Sequence, residues 1–221
     1  MQVFLPYADF EKSVKALDDS RLRKQALEST QLLDIMFDLP TKTGKPRKGW
    51  LNHPAFKAWR YNPGALIEHL IYNVIEIEIR GFKTDYAKSK LDQYAVFTTS
   101  LKKPIWLGDE EIHSSHRARL LQKGFEAKLK YGEKADAIIN WYSEWKWLEM
   151  DDEDLFNKEY LWATNISENN YEKIQKVSKN ALKTKKKLIE VYGRNPFHNL
   201  SMAGGNLNNS SFHNSPDFFQ L

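Results

Sequence analysis

The chain has 221 residues, 41% hydrophobic and 13% aromatic with seven Trp, enough for one large domain or a domain with an extension around a packed core. It contains no Cys, which excludes disulfides and thiolate metal sites and fits a reducing compartment, with the cytoplasm as the expected location. The net charge of +4 is a mild pull toward anionic partners, and no apolar run approaches the roughly 18 residues of a membrane span.

In chain order the spacing predicts helices almost throughout. Met1 to Pro6 lacks the basic and long apolar stretches of a secretion signal. Asp9 to Leu17 reads as a short amphipathic segment. Residues 19 to 38 read as a long helix with Asp/Ser capping chemistry at its start and an end before Pro40. Thr41 to Lys48, with Gly44 and Pro46, is a loop. His53 to Trp59 is a short helix, interrupted at Asn62-Pro63. Pro63 to Arg80 places Leu66, Leu70, Val74 and Ile77 at helical spacing, and Gly81 supplies the stop. Thr84 to Phe97 is predicted helical and Lys102-Lys103-Pro104 a turn. Asp109 caps a helix expected to run to Lys123 and to close at Gly124. Glu133 to Trp147 is a further helix.

The acidic cluster Glu149 to Asp154 marks a boundary, and Tyr171 to Tyr192 reads as a basic helix. From Gly193 the chain is rich in Asn, Ser, Gly and Pro and cannot bury a core. No strand pattern is convincing, although Tyr94 to Thr99 is ambiguous. The expected class is therefore all-α, with a helical domain over 1–165, a basic C-terminal helix over 166–192 and an irregular tail over 193–221.

Three constellations bear chemistry. On the long helix, Arg21, Lys24, Gln25 and Glu28 share one face, joining phosphate-holding groups to a carboxylate that can move a proton. The competing reading is an exposed face with ordinary ion pairs. Trp50, Asn52 and His53 precede Pro54, where backbone N–H groups at a helix start favour a phosphate and Trp50 and Trp59 can stack on bases. The alternative there is a capped helix with two core tryptophans. His113, His116 and Arg117 fall on a third helix face beside Arg119, suited to phosphate or base contact or to a buried structural histidine pair. Two histidines without a third ligand do not make a metal site, so no metal and no cofactor are expected. Neither a glycine-rich phosphate loop nor a Gly-x-Ser-x-Gly elbow occurs.

Met1 to Tyr7, Leu17 to Gln25, Trp50 to Pro54 and Trp106 to Arg117 form an ordered set of motifs that resembles the pyrimidine-dimer DNA glycosylase (phage endonuclease V-like) family. The closer resemblance is to a bacterial branch of it. The match covers residues 1 to about 123, and Leu155 to Trp162 continues it to about 165. It implies a compact helical domain of the endonuclease V type that binds bent double-stranded DNA as a monomer and flips out a nucleotide. The implied activity is base excision, an N-glycosylase acting on a damaged or modified base, with abasic-site lyase activity as an optional second step.

An ungapped register from Leu17 puts Glu28 at the family's catalytic glutamate and Arg21 at an active-site histidine. Glu28 would then stabilise the sugar cation and handle protons. Arg21, Arg23 and Lys24 would clamp phosphates. Gln25, Trp50, Asn52, His53, His113, His116, Arg117 and Arg119 would line the pocket or grip the flanking backbone. The family attacks with an α-amine exposed by methionine removal. Methionine is trimmed before small residues, and here Gln2 follows, so the α-amine of Met1 is the first candidate nucleophile. Lys24 is the second and water the third. A catalytically silent nucleic-acid-binding module and a helical hydrolase or transferase of free nucleotides are the competing functions.

Overall fold

The side chains of Asp9, Asp18 and His53 start helices by accepting backbone N–H groups in the computed structural model, which describes residues 2–41, 43–47, 49–97, 99–145, 158–175 and 179–192. Asp9 accepts from Lys12 and opens α1 (Phe10–Lys15), and Asp18 accepts from Arg21 and opens α2 (Asp19–Met36). The His53 ring accepts from Ala55 and opens α3 (Pro54–Trp59). Asp38, in the left-handed region at φ 51°, ends α2 two residues before Pro40, with Leu39 N–H bonded back to Asp34 O at 2.8 Å. α4 (Pro63–Ile79) stops at Gly81, whose φ of 80° suits a residue without a Cβ. α5 (Asp85–Tyr94) and α6 (Glu110–Tyr131) follow.

The chain divides into two units. The first holds residues 1–114 and 161–175. In it α4 packs on α2, α1 and α5. Leu17, Leu22, Leu32, Leu33, Leu66 and Leu70 are fully buried between them. Trp59 and Trp106 meet edge to face at 5.3 Å, and the Trp106 indole donates to Ala58 O at 2.9 Å.

Strands β1 (Leu161–Ser167) and β2 (Asn170–Gln175) form an antiparallel hairpin with a bulge between Asn165 and Ser167. β1 lies against α3. Asn165 donates to Ala58 O at 2.9 Å, and Arg60 donates to the carbonyls of Asn165 and Ile166. The basic helix expected over Tyr171 to Tyr192 is thus two elements, a strand and the later helix α8 (Lys179–Tyr192). The reason is tertiary. Trp162, Thr164, Tyr171 and Ile174 suit a pleated surface, and the backbone groups of β1 find partners on α3. Among the described residues the fold is accordingly mostly helical with one small sheet rather than strictly all-α.

The second unit holds residues 115–160 and 176–221. α6 does not close at Gly124 but continues to Tyr131, a 3-10 turn (Gly132–Ala135) follows, and α7 spans Asp136–Glu144. A Cβ at Gly124 would sit 3.3 Å from Ile139 Cγ1, so this glycine gives α7 room instead of ending the helix. Phe125 meets Tyr192 at 5.0 Å, and Leu188 is buried. The acidic cluster at 149–154 and the tail at 193–221 lie outside the described residues.

Arg80 closes the first unit's frame. Its guanidinium donates to Leu17 O (2.7 Å), Lys15 O (3.0 Å), Asp19 Oδ1 (2.9 Å) and Glu76 Oε1 (2.8 Å). It therefore satisfies carbonyls left open at the end of α1 and ties the α1–α2 corner to α4. Arg80→Met should lower stability by about 3 kcal/mol, since it strands two carboxylates and two carbonyls. A lower urea midpoint at unchanged slope is the expected reading.

Candidate active site

Residues 2–5 are not in a strand among the described residues, yet Val3, Phe4 and Leu5 are buried. Their backbone groups are met by side chains. The Gln2 N–H donates to Glu28 Oε2 at 2.7 Å, and the Phe4 N–H donates to Gln25 Oε1 at 2.6 Å. These two donors are two residues apart, the spacing that points both to one side of an extended chain. The Leu5 carbonyl accepts from His113 Nδ1 at 2.8 Å, while His113 Nε2 accepts from Gly108 N–H at 3.0 Å. The segment is thus held by α2 through two bonds and by the start of α6 through a third.

Behind Gln25 lies a second layer. Gln25 Nε2 is 3.1 Å from His69 Nε2, and both residues are fully buried. His69 stands on α4, with its ring near Trp59 (6.0 Å) and edge-on to Phe10 (5.2 Å). Burial, with a smaller push from the Lys103 charge, lowers the His69 pKa to about 3. The ring is therefore neutral near pH 7, and Nε2 accepts from the Gln25 amide. Asn73, one turn on, donates to His69 O at 2.8 Å.

Glu28 is buried at 9% exposure, with Lys24 Nζ 3.9 Å from its Oε1. The Lys24 side chain is 65% exposed. Arg21 pairs with Asp18 at 3.2 Å, and Arg23 lies over the Phe82 ring at 4.9 Å. The predicted face of α2 is thus real but splits, with Gln25 and Glu28 turned inward and Lys24 outward. Farther along α2, buried Asp34 draws in Lys90 Nζ (2.8 Å) and Arg47 Nη2 (3.0 Å), and the Tyr94 hydroxyl lies 2.8 Å from it. Burial, reinforced by Asp34, raises the Tyr94 pKa and keeps its proton in place. This cluster anchors the basic loop after α2.

Several expected contacts take other places. The polar atoms of Gln25 and His113 bond to the protein backbone and to His69. The Ala55 N–H is taken by the His53 ring at 3.1 Å and is not open to a phosphate. Trp50 and Asn52 are exposed. Trp50 meets His53 edge to face at 5.1 Å, and His53 meets Trp162 of the hairpin at 5.3 Å. His116 and Arg117 are buried in the second unit, where His116 stacks on Tyr160 at 4.7 Å. Arg119 pairs there with Glu126 at 2.7 Å. Met1 lies outside the described residues.

Asp109 opens α6 by accepting the Glu111 N–H at 3.0 Å. Burial pushes its carboxyl up, but hydrogen bonds from Tyr171 and Lys173 outweigh this and hold it below the usual range. Among the described residues no group of three or more His, Asp or Glu is placed to hold a metal.

His69, Asp34 and Trp162 escaped the sequence reading. A signal existed for the first, since His69 and Asn73 are polar residues four apart on the apolar face of α4. His69 also carries a pH consequence. Its ordinary pKa of 6.5 falls to about 3 on folding, so between those values the unfolded chain holds the extra proton. Stability contributed by this residue is complete above pH 6.5 and falls as the pH drops, by about 1.4 kcal/mol per unit. Urea midpoints measured from pH 7 to 4 should fall more steeply for the wild type than for His69→Gln.

No curated protein and no solved structure matches the chain. The model of the family described as pyrimidine dimer DNA glycosylase matches residues 1–90. That stretch contains the Gln2–Glu28, Phe4–Gln25 and Gln25–His69 contacts and the Arg80 clamp, and it ends before His113 and the hairpin. These N-terminal 90 residues, which build the frame around Glu28, are thus similar to the pyrimidine dimer DNA glycosylase family.

Proposed function

We propose that the chain is a DNA base-excision enzyme, an N-glycosylase on a damaged or modified base in double-stranded DNA, with Glu28 as its catalytic carboxylate. The observation that supports this most is the 2.7 Å bond from the Gln2 N–H to Glu28 Oε2. It sets a carboxylate one residue from the amine that residue 1 carries when it is the first of the chain. An amine there is a nucleophile with a ready proton acceptor. Its lone pair forms a bond to C1′ of the flipped nucleotide. The C1′–N glycosidic bond breaks, its electrons leave on the base, and the amine proton passes to Glu28. Ring opening then yields an imine, from which strand cleavage by elimination can follow.

Lys24 is the weaker nucleophile candidate, because its amine is largely exposed and only 3.9 Å from Glu28 Oε1. Arg21 and Lys24 at the edge of this face are suited to hold the flanking phosphates, and Trp50 offers an exposed ring for stacking. Binding should therefore weaken steeply with salt.

Single-turnover assays on duplexes bearing pyrimidine dimers, uracil, abasic sites and bulky modified bases test the reading. Glu28→Gln should slow base release by roughly 100-fold or more at unchanged DNA affinity. Full activity in that variant removes Glu28 from the mechanism, and DNA binding without base release on any duplex leaves a silent binding module. Borohydride should trap an adduct that maps to residue 1. N-terminal acetylation should abolish it and Lys24→Arg should not. An adduct on Lys24, or base release without an adduct, transfers the attack to lysine or to water.

A further inference from the structure

Gln25 lies between two partners that fix which way its amide points. Phe4 N–H is a donor and meets Oε1, while the neutral His69 ring offers an acceptor to Nε2. Both side chains are buried to 1% exposure or less, so water cannot replace either partner. An apolar group at position 69 would remove the acceptor. The Gln25 NH2 would then be buried without that acceptor, a cost the side chain escapes by leaving the Phe4 N–H for another position. The bonds of the Gln2 and Phe4 N–H groups to α2 depend on register, since a one-residue slip would turn these donors away from α2.

We propose that His69, acting through Gln25, is a positioning residue that sets the register of the N-terminal segment and so keeps the Gln2 N–H on Glu28. This rests on the base-excision reading above, with residue 1 as the attacking amine. His69 touches neither DNA nor the reacting atoms. It acts across two hydrogen bonds, of 3.1 Å and 2.6 Å, and the parallel 2.7 Å bond to Gln2 then places the carboxylate. The ring contacts with Phe10 and Trp59 fix its plane, and Asn73 and Lys103 are the other polar groups around it.

The test compares wild type, His69→Phe and His69→Gln in the full chain, with two readouts. The first is hydrogen exchange of the Phe4 amide, measured by NMR without DNA. The second is the single-turnover rate of borohydride trapping on an abasic duplex, with DNA affinity measured alongside. His69→Phe should lose Phe4 protection while amides in α2 and α4 keep theirs. It should trap roughly 100-fold more slowly at unchanged Kd, the cost of misplacing a reacting group by about an ångström. His69→Gln, which restores an acceptor, should recover most of both. Should His69→Phe fail to fold, His69→Leu removes the same acceptor with a smaller side chain and is read identically.

Wild-type Phe4 protection in His69→Phe overturns the proposal, as does lost protection with an unchanged trapping rate. A wild-type protein that traps nothing defeats the amine of residue 1 as the attacking group, not the register. In that case Phe4 exchange in the two variants alone decides whether His69 sets it.

Discussion

A buried backbone must find hydrogen-bond partners, and the first residues of this chain find them in side chains. In a sheet, the N–H groups of Gln2 and Phe4 and the carbonyl of Leu5 would face a neighbouring strand. Here Glu28, Gln25 and His113 stand in for that strand. Leaving any of these backbone groups unmet would cost about 1–3 kcal/mol, so each side chain is committed by the fold before any ligand arrives. The same constraint draws a carboxylate inward on a helix whose neighbouring Lys24 remains in solvent. A glutamate without the Gln2 N–H beside it would have little reason to stay there.

The order of support runs outward from that segment. Gln25 leans on His69, His69 on the Trp59 and Phe10 rings, and α4 on the Arg80 clamp that joins it to the α1–α2 corner. The basic loop has its own anchor in Asp34, where one buried carboxylate faces two cations. Buried charges of this kind are poor sources of net stability and good sources of fixed geometry. Here the geometry fixed is that of Arg47, in the loop after α2.

The helices were legible wherever an apolar period met a cap. Asp9, Asp18 and Gly81 mark ends that the structure places within a residue or two of their expected positions. Spacing also put Glu28 on the face that carries Lys24 and Gln25. What spacing could not supply is the depth of that face, because a polar residue reads the same whether it meets solvent or a buried amide. Gln25 and His113 look like ligand contacts for that reason, and their backbone partners lie 21 and 108 positions away. The hairpin was hidden by composition. β2 is mostly exposed and carries Lys173, so a strand that buries little looks like the start of the basic helix behind it. Gly124 misled in the opposite sense, since a glycine that admits a neighbouring helix is written with the same letter as one that ends a helix.

The hairpin belongs to the first unit, although 46 residues of the second separate it from Ser114. During synthesis, Arg60 and the α3 carbonyl at Ala58 emerge more than a hundred positions before Asn165, which they bind. At about 5–20 residues per second, the nascent chain carries an uncovered α3 for roughly 5–20 s. A gene fragment cut at the family boundary would make the same unfinished species permanent.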